Sequence, residues 1–264
     1  MTASMMHDPS PEKTSAFRRL SRYCFVSGLP RSGVGLLLAI LRQNPQFHVR
    51  NGSAAEALLT DLIQRYGEGG PEAALLSDLE KTALFRAAFE AIFHDRPPGA
   101  TVIDANPSWL ASAPTLARIH PLCRFVFCVR NPAMIVNSIS YDNDTGDHQA
   151  EADRAMSDVS EIGQQIGLLR EALSGEEAER ILVLDYDRLV DDPDDALDVI
   201  YDFLREEPFP HDFDAIGDPE YDGPVERSGI PTVLPTRLVL QLSGRAFWRN
   251  LRRTGATMLL GRAR

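Results

Sequence analysis

Positive charge is what this chain most lacks: its formal net charge is -11. Binding along a nucleic acid requires a basic surface that neutralises phosphates, so that class of partner is excluded. The deficit is steepest between Asp185 and Asp222, where the acidic residues read as solvated helix faces and loops. Cysteine is scarce as well. Cys24, Cys123 and Cys128 all sit in apolar runs, an odd number without framework spacing. They read as reduced, packed thiols in a cytoplasmic protein, not as a disulfide scaffold. No apolar run approaches the roughly 20 residues of a membrane span. The opening residues 1–20 carry no apolar h-region, so a loose tail is expected there, with one domain over 21–264. No Cys/His cluster has metal-ligand spacing, and the compact "HDFD" run does not supply one, so no metal is expected. No Gly-x-Ser stretch has the strand–elbow–helix setting of a serine hydrolase.

What the sequence does hold is an alternation of buried-strand and amphipathic-helix patterns. "YCFVSG" (23–28), "TVIDAN" (101–106), "CRFVFCVR" (123–130) and the run from "RILVLDYDRLV" read as strands, and His48 lies in a further strand ending "PQFHV". Near-continuous apolar strands are the mark of a parallel sheet covered on both faces. Between them, "GLLLAILRQNP", "AAEALLTDLIQRY", a helix opened by Pro71, "PTLARIHPL" and "NPAMIVNSISY" read as helices, the last capped by Asn131 with Pro132 at its first position. One long polar helix is expected over 147–179. "DDPDDALDVIYDFLRE" is a capped helix with apolar positions at 197, 200, 201 and 204. Beyond Pro208 the chain turns irregular, and a basic amphipathic helix is expected near "RLVLQLSGRAFWRNLRR". The pattern predicts an α/β fold with an open parallel sheet and helices on both faces.

The first strand runs into "GLPRSGVG". Gly28 to Gly33 has the G-x-x-x-x-G spacing of a phosphate-binding loop, but Val34 and Gly35 stand where lysine and a magnesium-binding hydroxyl should follow. An ATP or GTP site is thereby excluded. Main-chain N–H groups and a helix N-terminus remain, and both attract anions. Arg31 can add a bidentate contact to phosphate or sulfate oxygens.

"FVSGLPRSG" followed by "LLLAILRQNPQFHV" resembles the opening of the sulfotransferases that use 3′-phosphoadenosine 5′-phosphosulfate (PAPS), especially bacterial and tyrosylprotein-like ones. "CRFVFCVRNPAMIVNSIS" resembles their strand–loop–helix that holds the 3′-phosphate, which carries that role to Arg130 and Ser138. "ILVLDYDRLVDDPDDALDVIYDFL" with "PFPHDFD" resembles the following run, so the likeness covers roughly 22–238. It implies a phosphate-binding-loop, three-layer sulfotransferase fold. Gly28, Pro30, Arg31, Ser32, Gly33, Val34 and Gly35 would line the donor site. PAPS would be the donor, 3′,5′-ADP the product and a small molecule the acceptor.

The chain departs from that pattern where hydroxyls and cations usually grip PAPS. Val34 and Gly35 replace hydroxyl residues, Ala105 stands near the usual lysine, and Leu234 and Thr236 replace an arginine and a lysine, with Arg227 just upstream. Sulfuryl transfer needs positive charge at the leaving oxygen. The losses therefore leave two alternatives open. One is an enzyme of this fold, without PAPS, that displaces or eliminates sulfate from a sulfated substrate. The other is a non-catalytic partner subunit in a homo- or heterodimer. For proton transfer, the candidates beside Arg31 are His48, Glu56 and Asp104. Tyr141, Asp142, His148 and Trp109 are candidates for the acceptor pocket.

Overall fold

The computed structural model describes residues 22–143, 148–155, 157, 159–216 and 257–259. Its centre is a sheet of strands β1 (Tyr23–Gly28), β2 (Phe47–Asn51), β3 (Thr101–Ala105), β4 (Arg124–Val129), β5 (Ile181–Asp185) and β6 (Thr257–Leu259). They run in the order β2-β3-β1-β4-β5-β6, and all pairings are parallel. The short β6 was not expected from the sequence; it pairs Thr257 with Leu182 on β5. The tail at 1–20 and the basic helix expected near the C-terminus lie outside the described residues.

Side chains on a strand alternate between faces, and here the two faces differ in kind. Tyr23, Phe25, Val102, Phe125, Phe127 and Val183 enter one core cluster, joined by Phe85, Phe89, Phe93 and Trp109 from the covering segments. Cys24, Val26, Ile103, Val126, Cys128, Leu182 and Leu184 enter the other, an aliphatic layer. Each fully buried large apolar side chain stabilises the fold by about 1.5–3 kcal/mol.

Helix α1 (Val34–Leu41) covers the aliphatic face with Leu36, Leu37, Ile40 and Leu41. On the aromatic face lie α2 (Ala55–Tyr66), through Ala55 and Leu59, and α3 (Asp78–Ile92), through Phe85 and Phe89. Pro71 does not open α3. Ser77 does, because "SDLE" forms a capping box in which Ser77 and Glu80 satisfy each other's backbone N–H groups; Ala73–Leu75 is a separate 3-10 turn. Helices α4 (Ala113–Ile119) and α5 (Pro132–Asn143) flank β4, and Asn131 Oδ1 accepts from Ala133 N at 3.0 Å, the expected cap.

The polar stretch expected as one helix is two, α6 (His148–Ala155) and α7 (Glu161–Ser174), because Ser160 caps a new start by accepting from Gly163 N. The strand from Ile181 ends at Asp185, whose carboxylate accepts from Asp187 N and opens α8 (Tyr186–Asp191). Helix α9 (Pro193–Leu204) buries Leu197, Ile200, Tyr201 and Leu204 on the aliphatic face, at the positions its periodicity predicts. The irregular segment after it crosses that same face. Gln43 and the Asp212 backbone exchange two 2.8 Å hydrogen bonds, and Phe209, Phe213 and Ile216 pack on the aliphatic layer. No helix among the described residues is long and apolar enough to cross a membrane.

Candidate functional site

The carboxyl ends of β1, β3, β4 and β5 share one edge, where open parallel sheets place ligands. At its centre is the turn from Gly28 to Gly33. Leu29 N donates to Cys128 O at 2.9 Å, and the Ser32 N–H and hydroxyl both donate to Leu29 O, at 3.2 and 2.6 Å. Ser32 is thus buried and closes the turn. Gly28 is required by space: a Cβ there would lie 2.8 Å from Cys128 O and from Ser32 Oγ. Arg31 and Gly33 both adopt left-handed backbone, with φ of 58° and 85°. Left-handed residues within a turn aim successive N–H groups into one concavity that suits an anion. For Arg31 this conformation costs about 1–2 kcal/mol relative to ordinary backbone, a strain typical of functional turns.

Gly33 is the N-cap of α1 and offers no side chain to the helix start, and the first turn of α1 carries no acidic residue. The leading amides of a helix have no partner within it, so Val34 and Gly35 extend the N–H array of the turn. The Arg31 side chain is exposed at the mouth.

Arg130 closes the other side. It follows β4, donates from Nη1 to Arg31 O at 3.2 Å, and lays its guanidinium 4.2 Å from the ring centroid of Tyr186. Its Nε is buried with no hydrogen-bond partner. The Tyr186 ring also walls Gly33, where a Cβ would approach within 2.4 Å of it. Tyr186 was not among the sequence candidates. Its signal is its place as the residue directly after β5, at the ligand-bearing edge. Ser138 is buried in the second turn of α5.

Asp104 belongs to the same edge but to the aromatic face, since it pairs with Phe25. It is fully buried. Oδ2 accepts from Ser53 Oγ and from Trp109 Nε1, both at 3.0 Å, while Oδ1 has no partner. Burial raises its pKa from 3.8 to about 6, against the two hydrogen bonds and the Arg50 charge that lower it. Ser53 Oγ in turn accepts from Ala55 N at 3.1 Å, so the carboxyl of Asp104 anchors the start of α2. Glu56 lies in that first turn, half-buried, and accepts from Thr60 Oγ1 at 3.0 Å. Trp109 is a core residue that holds Asp104 and packs 4.9 Å from the ring of Phe25.

His48 is placed elsewhere. It pairs with Val102, which is level with Tyr23 at the start of β1. At 3.3 Å per residue, that lies about 16 Å down the sheet from Gly28. Arg50 Nε donates to His48 Nε2 at 3.2 Å, and Asp95 is 3.6 Å away and bonded to Arg50. Burial lowers the His48 pKa, with Asp95 opposing. The structure brings together Gly28, Pro30, Arg31, Ser32, Gly33, Val34, Gly35 and Arg130, places Asp104 and Glu56 on the adjoining segment, and leaves His48 in a peripheral ion-pair cluster. The side chains of Tyr141, Asp142 and His148, and all of Arg227, Leu234 and Thr236, lie outside the described residues.

With this geometry in view, the family model described as "Sulfotransferase family" matches residues 24–211, from β1 through the segment after α9. The chain belongs to the sulfotransferase family. The match is to the family as a whole and not to a bacterial or tyrosylprotein-like branch. Among solved structures, a sulfotransferase from Alicyclobacillus acidocaldarius shares 17% identity and a TM-score of 0.50, over 75% of this chain and 86% of that one. At such identity the likeness shows the fold alone. The sulfotransferase domain of the Synechococcus PCC 7002 olefin synthase matches 92% of this chain and 90% of its own, at 20% identity and a TM-score of 0.46. The sulfotransferase domain from the curacin biosynthetic pathway matches at 17% identity, with a TM-score of 0.45 over 92% and 95%. No curated protein sequence matches.

Proposed function

We propose that this sulfotransferase transfers a sulfuryl group from PAPS to a small-molecule acceptor. One observation carries the reading: a left-handed turn and an uncapped helix start meet an arginine whose Nε is buried without a partner. A buried, unpartnered guanidinium N–H beside free helix amides is a costly arrangement that a phosphate or sulfate oxygen completes. The residues present suit such a donor. Gly28 and Gly33 let the turn pack closely against Cys128, Ser32 and the Tyr186 ring, which fixes the loop backbone in place. Val34 and Gly35 contribute amides without hydroxyls, and Arg31 and Arg130 supply the positive charge. The grip is one of backbone and guanidinium, since Ala105 is buried where a lysine would otherwise reach the donor.

When bound, PAPS supplies an activated sulfuryl group, with 3′,5′-ADP as the leaving group. The chain's own part is to hold that leaving group and to take a proton. Arg31, exposed at the mouth, supplies positive charge toward the leaving oxygen. Arg130 and Ser138 hold the 3′-phosphate end, the roles their sequence setting implies. Of the two carboxylates on the adjoining segment, Glu56 reaches solvent and Asp104 does not. We assign the acceptor's proton to Glu56, and the holding of its turn, through Ser53, to Asp104.

Incubation with PAPS and a panel of alcohols, phenols and amines tests the reading by release of 3′,5′-ADP. Turnover that falls about 10²–10⁴-fold in Glu56→Gln supports it. Release of inorganic sulfate from sulfated substrates, with no use of PAPS, would replace it.

A further inference from the structure

The amino edge of the sheet, opposite the loop, holds a cavity of about 460 Å³ whose walls carry Arg22, Arg124, Arg180 and Arg205 together with Glu176 and Glu179. Parallel strands bring these residues together, because all of them start at one edge. Arg22 precedes β1, Arg124 opens β4, Arg180 precedes β5, and Arg205 follows α9. In a chain with a net charge of -11, a cavity with this many guanidiniums is out of keeping with the rest of the molecule.

The local partners do not account for all of them. Arg22 is paired with Glu206 at 3.1 Å. Arg180 is paired with Glu177 at 2.6 Å and donates to Pro121 O. Among the described residues, Arg124 and Arg205 form no ion pair, and the exposed Glu176 and Glu179 on the wall are not bonded to them. The Arg124 guanidinium rests 5.2 Å from the ring centroid of Phe203. Burial is the chief cause that lowers its pKa, followed by the positive charges of Arg205 and Arg180. The C-terminal dipole of α9 accounts for one nearby cation but not for this group. Arg205 moreover holds left-handed backbone, φ 57°, at a cap position where glycine is the unstrained choice.

We propose that this cavity is a second anion site, separate from the β1–α1 loop, that takes a small molecule bearing phosphate groups. Planar guanidinium forks match phosphate oxygens in pairs, and the volume lies within the roughly 300–1,000 Å³ of small-molecule sites. The inference does not depend on PAPS use.

Calorimetric titration of the full chain with inorganic pyrophosphate separates the two sites. The Arg31→Ala/Arg130→Ala protein, crippled at the loop, is expected to retain one pyrophosphate site. Adding Arg124→Gln and Arg205→Gln to it should weaken that site at least roughly tenfold per arginine, and raised salt should weaken it in the starting protein. Arg205→Gln alone, at an exposed residue, serves if the combined variant does not fold. The proposal is overturned if the loop-crippled protein binds no pyrophosphate, or binds it equally with and without Arg124 and Arg205. It is also overturned if citrate binds as tightly as pyrophosphate, because the preference for phosphate is then absent. The wild-type titration with 3′,5′-ADP reports on the loop, so either site can fail without the other.

Discussion

The two faces of the sheet carry different kinds of work. The aliphatic face is mostly a packing surface, its buried rings being Tyr201 and the Phe47 it stacks on, with Tyr201 bonded to Asn44 and His211. Its helix α1 starts in backbone amides unpaired within the helix, beside Arg130 and Tyr186. The aromatic face buries ionisable groups among rings. Asp104 lies under Trp109, and His120 lies 4.1 Å from Tyr23 and close to Phe89. Burial lowers the His120 pKa to about 4 and raises that of Asp104 to about 6, so burial disfavours the charged form of each, although Asp104 still ionises by neutral pH. An anion cradle needs fixed dipoles and permanent charge, which an aliphatic scaffold holds without competing for them. A carboxyl whose proton state matters needs a low-dielectric setting, which the ring cluster provides. Changes on one face should therefore alter ligand grip, and changes on the other should alter stability and its pH dependence.

The largest expected effect lies on the aliphatic side. Removing both guanidiniums in Arg31→Ala/Arg130→Ala takes away charge-assisted contacts of about 1.5–3 kcal/mol each. Steady-state kinetics with PAPS should show kcat/KM reduced about 10²–10⁴-fold. The melting temperature should barely move.

Next comes Asp104→Asn. A carboxyl whose folded pKa is raised contributes stability that is present below its unfolded value, near 4, and lost as pH rises through about 6. The variant should therefore gain on wild type between pH 4 and pH 7, by an amount on the order of 3 kcal/mol. Urea unfolding at the two pH values measures it, and a constant difference would show that Asp104 is solvated and not sealed.

Gly33→Ala follows. The new Cβ meets the Tyr186 ring at 2.4 Å and the backbone is left-handed there. A stability loss of about 1–2 kcal/mol is expected, together with weaker binding of 3′,5′-ADP as the ring is displaced. The smallest effect on ligand binding should come from Trp109→Phe, which keeps a ring but removes the N–H donor to Asp104 Oδ2. A stability loss of about 1.5–3 kcal/mol at neutral pH, smaller near pH 4, is expected, with 3′,5′-ADP affinity unchanged. If Trp109→Phe weakened nucleotide binding as strongly as Gly33→Ala, the division between the faces would fail.

Much of this was legible in the chain because fully buried parallel strands read as unbroken apolar runs, and "YCFVSG" and "CRFVFCV" could hardly be anything else. The loop was legible through its glycine spacing together with its resemblance to the sulfotransferase opening. What was missed follows from competition between local signals. Pro71 reads as a first-turn position, but "SDLE" six residues on offers two satisfied backbone donors and Pro71 none. The apolar run beyond Ile181 hid the cap at Asp185, and with it Tyr186 at the site. His48 has suitable chemistry, but only strand register shows that it lies at the wrong height on the sheet, committed to Arg50 and Asp95. The role of Ser53 was hidden because a serine before a helix reads as a cap, and its second partner, Asp104, is distant in sequence.

The most direct measurement is a calorimetric titration of 3′,5′-ADP into the wild-type chain and into Arg130→Ala. Micromolar one-site binding to wild type, weakened at least tenfold in the variant, is the expected result. Binding that is equal in both, or absent from wild type at millimolar nucleotide, would mean that the turn and its arginine do not hold the sulfuryl donor.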